Sequence, residues 1–450
     1  MAEAAEAAET YEDQDYELTE TKIGAFEWVS EVLGFVPSLN KLRGSTSDDW
    51  IDRISHMYTV IMLVIFAIVV SSGQFFGDPI HCWCPAEFTD AFEEYTKYVC
   101  WISNTYYIPM KDSIPDEDEI RQEKELTYYQ WIPLILLLQA FLFKIPNIAW
   151  RMLNTQAGIN IDKIVRLAEE TQEGSPEDRM ETIENLAKYM DKWLGTYQEY
   201  KRNIIVRVRA QMTKVMCCLM NRRAGTFLTG LYMIIKIVYV VNVISQFFIL
   251  NAFMATDYNM YGFQYIESLI NNEPVRENPR FPRVTLCDFR IRQLQNVQPW
   301  TVQCVLPINL FNEKIFIFLW FWFVLVATLA CFSLLKTAIY HIFKQNKVRY
   351  VKKYLKISNE IHSNYDKKLC AQFAEGYLRN DGIFVLYMIA KNSTDLVVVD
   401  LMRELWKIFK AKHSPNNNVM NNHAGIEDTN DMAPPLDEKE PLTDGAYQPQ

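Results

Sequence analysis

The chain has 450 residues, half of them hydrophobic and 14% aromatic, with a formal net charge of −10 at pH 7. A nucleic-acid-binding protein would present a basic face, so the acidic balance argues against that class. The first twenty residues are acidic and lack both a basic start and an apolar core, so no cleavable signal peptide is expected. The apolar residues gather in four blocks with the charges between them, a pattern typical of a membrane protein.

The N-terminal region divides into an extension and two short helices. Residues 1–22 are rich in Ala and Glu and are expected to be disordered. Over residues 23–36, apolar residues that include Phe26, Val29 and Leu33 recur at helical spacing and predict an amphipathic helix. Residues 45–49 then form a capping-type start for a second short helix. Residues 23–56 are therefore expected to precede the membrane.

Four apolar stretches each reach roughly twenty residues, enough to cross about 30 Å of hydrocarbon. Backbone amides cannot stay unpaired in lipid, so each stretch is expected to be a helix. A buried helix of a soluble domain is the alternative, and the length of the stretches argues against it. The predicted spans cover residues 57–76, 128–150, 226–254 and 315–342.

The basic residues predict the orientation of these spans. Seventeen Lys and Arg residues lie close to the span ends on one side, and four lie on the other. By the positive-inside rule, both termini and the 151–225 loop are cytoplasmic, and the loops of residues 77–127 and 255–314 are outside. Five of the nine cysteines lie in these two outer loops, as expected for an oxidising compartment.

The cytoplasmic segments carry helical patterns. Ser175 and Pro176 predict a helix start, followed by an apolar face of Met180, Ile183, Ala187, Met190 and Leu194. In the 343–412 segment, residues 380–382 (Asn-Asp-Gly) predict a turn, and residues 392–395 predict the start of another helix. We expect the two segments to pack together as a helical domain and residues 413–450 to be disordered.

The outer cysteines carry the strongest chemical signal. Cys82 and Cys100 are 18 residues apart, and Cys287 and Cys304 are 17 apart, whereas Cys84 is an additional cysteine. A zinc site would use closer pairs, so no metal is expected. Four cysteines allow three disulfide pairings, and the sequence alone leaves them open.

Ionisable residues in or beside the spans need an explanation. Lys236 lies near the middle of the third span, where a charge is costly. It faces either a water-filled cavity or an internal partner such as a span carbonyl or Asn242, and the internal partner is favoured. His56 and His341 lie at cytoplasmic span ends, where a pH gate could operate, but single boundary histidines usually have no such role. The sequence contains no nucleophile–base pair, phosphate-binding loop or metal-ligand cluster, so neither an enzyme nor a cofactor is predicted.

The residues around the second span resemble a known family. Tyr128, Tyr129, Gln130 and Trp131 resemble the Tyr-Tyr-Gln-Trp signature of the innexins, the gap-junction channel proteins of invertebrates; the family usually has valine next, where this chain has Ile132. The segments around Cys82, Cys100, Cys287 and Cys304 and residues 378–382 are also similar to the family. The resemblance covers about residues 23–409. Connexins carry three cysteines per loop at tighter spacing, so the chain is not one of them.

The resemblance implies an all-α membrane protein with four transmembrane helices, two disulfide-linked extracellular loops and a helical cytoplasmic domain. It implies that eight subunits form a hemichannel in the plasma membrane. Two such hemichannels dock at a gap junction, and the resulting channel passes ions and small metabolites. Other innexins and membrane lipid are further expected partners. The alternative is a non-conducting four-span adhesion or scaffold protein of the tetraspanin or claudin sort, whose cysteine patterns are absent from the outer loops.

Two expectations about sites follow from the resemblance. We expect loop-to-loop disulfides, Cys82 with Cys304 and Cys100 with Cys287, since this order lets the two loops run antiparallel. The family's N-terminal segment folds into the channel and narrows it. If the helix of residues 23–36 takes this position, the pore-lining candidates are Phe26, Glu27, Val29 and Glu31. The eight acidic residues among the first twenty would then concentrate cations at the pore mouth.

Overall fold

A computed structural model of the protein describes residues 48–171, 175–196, 225–254, 258–271 and 280–413. The acidic extension, the predicted helix of residues 23–36 with its pore-lining candidates, and the tail after residue 413 lie outside the described residues. The described helices, in chain order, are α1 (Trp50–Phe75), α2 (Asp90–Ile102), α3 (Asp118–Gln122), α4 (Ile132–Asn154), α5 (Ile161–Glu170), α6 (Pro176–Thr196), α7 (Phe227–Met254), α8 (Tyr261–Ile270), α9 (Pro307–Ile342), α10 (Lys344–Ile357), α11 (Asn364–Gln372), α12 (Arg379–Asn392) and α13 (Asp395–His413).

Four of these helices, α1, α4, α7 and α9, are long and apolar enough to span a membrane. They pack as a closed bundle, because α1 contacts α4, α4 contacts α7, α7 contacts α9, and α9 returns to α1. One end of the bundle carries a disulfide domain, formed by the described residues of 76–128 and 258–306. The other end carries a helical domain, formed by the described residues of 158–196 and 343–413.

The first span and the short helix predicted before it form one continuous element. The Asp49 side chain accepts a hydrogen bond from the amide of Trp50 and so caps the helix start. A π-helical turn over Ile54–Tyr58 occupies the predicted boundary near residue 57 without interrupting the helix. The Thr59 hydroxyl donates to the Ile54 carbonyl at 2.9 Å within this turn. The first span therefore begins with two acidic residues, Asp49 and Asp52, that are buried.

The disulfide domain contains an antiparallel sheet that the sequence pattern did not predict. Its strands are β1 (His81–Trp83), β2 (Thr105–Tyr106), β3 (Glu125–Leu126), β4 (Val284–Gln293) and β5 (Asn296–Val305). The spatial order is β1-β5-β4-β2-β3, so strands from the first loop flank the β4–β5 hairpin of the second loop on both sides. The two loops thus fold as one unit.

The helical domain joins the two segments that were expected to pack together. Helix α6 packs on α13 across the domain, and the Arg179 side chain lies 2.7 Å from a carboxylate oxygen of Asp400. The amide of Asp178 donates to the Ser175 hydroxyl at 3.3 Å, which confirms the predicted helix start. Four members of the predicted apolar face are buried, but Met180 is 73% exposed.

The turn predicted at residues 380–382 is wrong. These residues form the first turn of α12, and the break falls one residue earlier, at Arg379, which has a φ of +56°. The Asp381 carboxylate is buried against the start of α7. This tertiary contact overrides the local turn preference of an Asn-Asp-Gly sequence.

Candidate functional site

Both disulfides join the first loop to the second. Cys82 on β1 and Cys304 on β5 are register partners in the sheet and are bonded to each other. Cys100 in the last turn of α2 is bonded to Cys287 on β4. These are the loop-to-loop pairs that were expected once the family resemblance was taken into account. The sulfur atoms of Cys82, Cys100 and Cys304 lie within 4.8 Å of one another, a grouping that follows from two neighbouring disulfides, whose bonded sulfurs offer no thiolate to a metal.

Cys84 remains a free cysteine beside these bonds. Its thiol is half-buried and lies 3.8 Å from the carbonyl oxygen of Cys82. Burial, with a smaller contribution from the negative charge of Glu93, raises the pKa of the thiol. Cys84 therefore has less reactive thiolate than an ordinary exposed cysteine, and Cys82 is bonded to Cys304 rather than to it.

A polar network reinforces the contact between the loops. The Asp288 carboxylate on β4 accepts hydrogen bonds from the Tyr106 hydroxyl at 3.0 Å and the Thr301 hydroxyl at 2.7 Å. The Arg121 guanidinium, from the first loop, lies 2.9 Å from the same carboxylate. Burial, followed by the nearby charge of Asp288, raises the pKa of Tyr106 to about 12. The first loop is therefore attached to β4 by a neutral phenol and an ion pair as well as by a disulfide.

The Tyr-Tyr-Gln-Trp stretch fastens the second span to the disulfide domain. The Tyr128 hydroxyl donates to the Arg280 carbonyl at 2.6 Å, and the Gln130 amide donates to the Trp101 carbonyl. Tyr129 is fully buried, and its ring lies 5.1 Å from that of Trp101. Trp131 is 57% exposed, as expected of an aromatic residue at a membrane–water boundary. The stretch thus links both outer loops to the start of the second span.

At the opposite end of the bundle, a cluster of buried polar side chains joins the four spans; it consists of Asp48, Asp49, Asp52, His56, Asn147, Lys236 and Ser333. The Lys236 amine lies 2.7 Å from a carboxylate oxygen of Asp52 and donates to the Ser333 hydroxyl at 2.7 Å. The prediction of an internal partner is confirmed, but Asn242 is not that partner. Asn242 donates to the Leu142 carbonyl at 3.1 Å.

The polar cluster also reaches the helical domain. His56 lies 3.0 Å from the Asp48 carboxylate, to which the Asn147 amide donates at 2.8 Å. The Lys391 amine on α12 lies 3.3 Å from the Asp49 carboxylate. His56 is thus a buried member of a structural cluster, whereas the side chain of His341 lies outside the described part of the chain. The pH gate considered for these histidines stays a prediction.

A second contact couples the helical domain to the third span. Asp381 accepts hydrogen bonds from the amides of Phe227 at 2.9 Å and Thr229 at 3.1 Å, and from the Thr229 hydroxyl at 3.1 Å. Burial raises the pKa of this carboxyl, although the three donors favour its ionised form. Because the amides of a first helical turn have no partner within the helix, Asp381 acts as an N-cap supplied by a distant segment.

The fold and these contacts define a four-span membrane protein whose two loops on one side form a single disulfide-linked domain. The sequence pattern of the innexin family matches residues 48–409. The chain is 37% identical over 372 residues to innexin unc-9 of Caenorhabditis elegans, covering 83% of this chain and 95% of that protein. It is 33% identical to innexin-19 of Caenorhabditis briggsae, over 84% of this chain and 89% of that protein. It is 34% identical to innexin-3 of C. elegans, over 86% of this chain and 87% of that protein.

The chain therefore belongs to the innexin family and is a subunit of a gap-junction channel. Three features of the site were not anticipated from its sequence: the sheet, the Asp288 network and the Asp381 cap. Only the sheet left a signal. From residue 287 to residue 292 apolar and charged residues alternate, as Cys-Asp-Phe-Arg-Ile-Arg, which is the period of a strand with one buried face. The partners of Asp288 and Asp381 are too distant in sequence for any local pattern to indicate them.

Proposed function

We propose that this chain assembles around a central pore into a hemichannel and that two hemichannels dock through their disulfide domains. The observation that carries the proposal is the joining of both outer loops into one sheet by two disulfides. A preorganised surface loses little conformational entropy when it meets a partner, which favours docking. The resulting conduit would pass ions and small metabolites between two cells.

The proposed orientation places the disulfide domain outside the cell and both termini with the helical domain in the cytoplasm. It is supported by the excess of Lys and Arg at the helical-domain end of the spans and by the need of disulfides for an oxidising compartment. Asp116 and Ser175 are both exposed, one at each end. A membrane-impermeant thiol reagent applied to intact cells should label Asp116→Cys and not Ser175→Cys. The reverse pattern would overturn the orientation.

Eight subunits per hemichannel is the stoichiometry that we propose from the family resemblance. A homomeric ring should appear as an eightfold particle when the purified chain is imaged in detergent. A different number of subunits would correct the stoichiometry without affecting the docking proposal. Co-purification with a second, differently tagged innexin would show whether mixed rings also form.

The N-terminal segment, outside the described residues, is proposed to line the pore mouth. Eight acidic residues among the first twenty, repeated around a ring, would raise the local concentration of cations. Deletion of residues 1–20 should therefore weaken cation preference and shift gating while leaving assembly intact. Single-channel recordings with unchanged conductance, selectivity and gating would place the segment outside the permeation path.

Dye transfer separates the channel from the adhesion alternative. Two cells that express only this chain should exchange a small fluorescent anion or cation across their contact. Surface expression in both cells should be confirmed by labelling the disulfide domain. Cells that adhere and display the protein but exchange no dye would support a non-conducting scaffold.

A further inference from the structure

Helix α10 begins two residues after the fourth span ends and carries a one-sided stripe of basic residues. The stripe consists of Arg349, Lys352, Lys353 and Lys356. At about 100° per residue, these four side chains fall within an arc of about 100° of the helix surface. Arg349, Lys353 and Lys356 are exposed, and Lys352 is half-exposed. The opposite side of the helix, with Val351, Tyr354 and Leu355, is buried in the helical domain. The basic stripe is therefore the exposed face, among the described residues, of an amphipathic helix whose other side packs in the helical domain.

The carboxylates of the described residues neutralise the stripe poorly. Lys353 lies 3.8 Å from the Asp395 carboxylate, with both side chains more than half exposed. In the described part of the chain, none of the other three has a carboxylate within 4.0 Å. By contrast, Arg179, Lys391 and Lys412 of the same domain each have a carboxylate within that distance.

The spacing within the stripe sets like charges against one another. Arg349 is three residues before Lys352 and four before Lys353. Lys356 is three residues after Lys353 and four after Lys352. Like charges at these spacings destabilise a helix. An anionic partner that contacts all four residues would turn this repulsion into a favourable interaction.

The position of α10 relative to the bilayer indicates which partner this is. Glu313 and Lys314 mark the disulfide-domain boundary of the fourth span, so about twenty residues of hydrocarbon end near residue 335. At about 1.5 Å per residue, α10 begins about 13 Å further along the chain. The headgroup layer takes up about 5–7 Å of that distance. The start of α10 therefore lies about 6–8 Å beyond the headgroups, within one Debye length of about 8–10 Å. The exposed aromatic ring of Phe343, between α9 and α10, is also suited to this interfacial layer.

We infer that the basic stripe of α10 binds the headgroups of anionic phospholipids in the leaflet that faces the helical domain. The inference depends on the proposed orientation only for naming that leaflet the cytoplasmic one. Juxtamembrane basic residues each strengthen binding to an anionic surface by about fivefold when they lie near it. Four of them on one face form a surface that distinguishes anionic from zwitterionic lipid.

The test uses the full-length protein purified in detergent, with phosphatidylserine or phosphatidylcholine added and bound lipid counted by native mass spectrometry. The wild-type chain should bind phosphatidylserine at least about tenfold more tightly than phosphatidylcholine. Replacing Arg349, Lys352, Lys353 and Lys356 with Gln should remove most of this preference. These side chains lie on the surface, so the variant should keep its oligomeric size in gel filtration.

A matched control removes four exposed basic residues from other helices of the domain, replacing with Gln Lys163, Arg166, Lys188 and Lys192. It should bind phosphatidylserine as the wild type does.

Equal loss of phosphatidylserine binding in both variants, or no preference for phosphatidylserine in the wild type, would overturn the inference. Displacement of the lipid by equimolar glycerophosphoserine would also overturn it, by assigning the stripe to soluble phosphates. A preference that appears only after deletion of residues 414–450 would overturn it in favour of the chain's own acidic tail. The lipid assay does not depend on how the chain is inserted in cells, so its failure and a failure of the orientation are distinguishable.

Discussion

Single residues buried in the polar cluster illustrate how this protein tolerates charge within its spans. Lys236 is 2% exposed and would be costly without a partner. Asp52 supplies the opposite charge and Ser333 a further hydrogen-bond acceptor, while Asp49 lies 3.9 Å away. The cluster thereby connects the first, third and fourth spans through a single amine.

Replacement of Asp52 should show that this connection stabilises the fold. Asp52→Ala leaves the buried Lys236 with Ser333 as a hydrogen-bond acceptor and the more distant Asp49 as counter-charge, so we expect a loss of about 3 kcal/mol in unfolding free energy. The measurement is denaturant or thermal unfolding of the purified protein in detergent. The double variant Asp52→Leu, Lys236→Met should recover much of that loss, because no unpaired charge then remains.

The control for this experiment is Glu184→Gln, which breaks an exposed ion pair with Lys188 on α6. That pair is in solvent, and its removal should leave the unfolding transition unchanged. An Asp52→Ala variant as stable as Glu184→Gln would show that Lys236 is neutral or solvated in the folded protein.

At the scale of elements, the third span starts on a cap that comes from another part of the chain. Asp381→Ala would leave the amides of Phe227 and Thr229 without an acceptor, and we expect a cost of about 1–3 kcal/mol. Asp381→Asn keeps one acceptor oxygen and should fall between the wild type and the Ala variant in the same unfolding assay. Equal stability of all three proteins would contradict the capping role.

The disulfides are the second prediction at this scale. Peptide mapping without reduction should recover Cys82 joined to Cys304 and Cys100 joined to Cys287, with Cys84 in an unlinked peptide. A peptide that joins Cys82 to Cys100 would contradict the loop-to-loop arrangement. The paired substitution of Cys100 and Cys287 by Ser should lower the unfolding free energy by about 2–5 kcal/mol, as for other small disulfide domains.

The parts of this architecture that could be predicted are those marked by a pattern within one short stretch of sequence. The four spans follow from twenty-residue apolar runs, and the α6 start follows from Ser175 and Pro176. The sheet was missed because β1, β2 and β3 are only two or three residues long. They form by pairing with distant strands: β1 pairs with β5, β2 with β4, and β3 with β2. The partner of Lys236 was missed because Asp52 is 184 residues away.

At the scale of the whole molecule, two hydrophobic cores are arranged along the bundle. One lies in the helical domain and the adjoining ends of the spans, and the other fills the rest of the bundle and the disulfide domain. The spans thus join a disulfide-linked platform to a helical domain, with the polar cluster and the Asp381 cap between spans and helical domain. This division agrees with the proposal above, in which the disulfide domain is the part of the subunit that docks.

The most direct test of the docking proposal is electrical recording from paired cells that express only this chain. The wild-type protein and the Cys84→Ser control should both produce junctional current, because Cys84 takes no part in the bonds that hold the loops together. The paired substitution of Cys100 and Cys287 by Ser should abolish that current in cells where surface labelling still detects the protein. Junctional current of wild-type size from that disulfide variant, or none from wild-type protein present at both surfaces, would contradict docking through the disulfide domain.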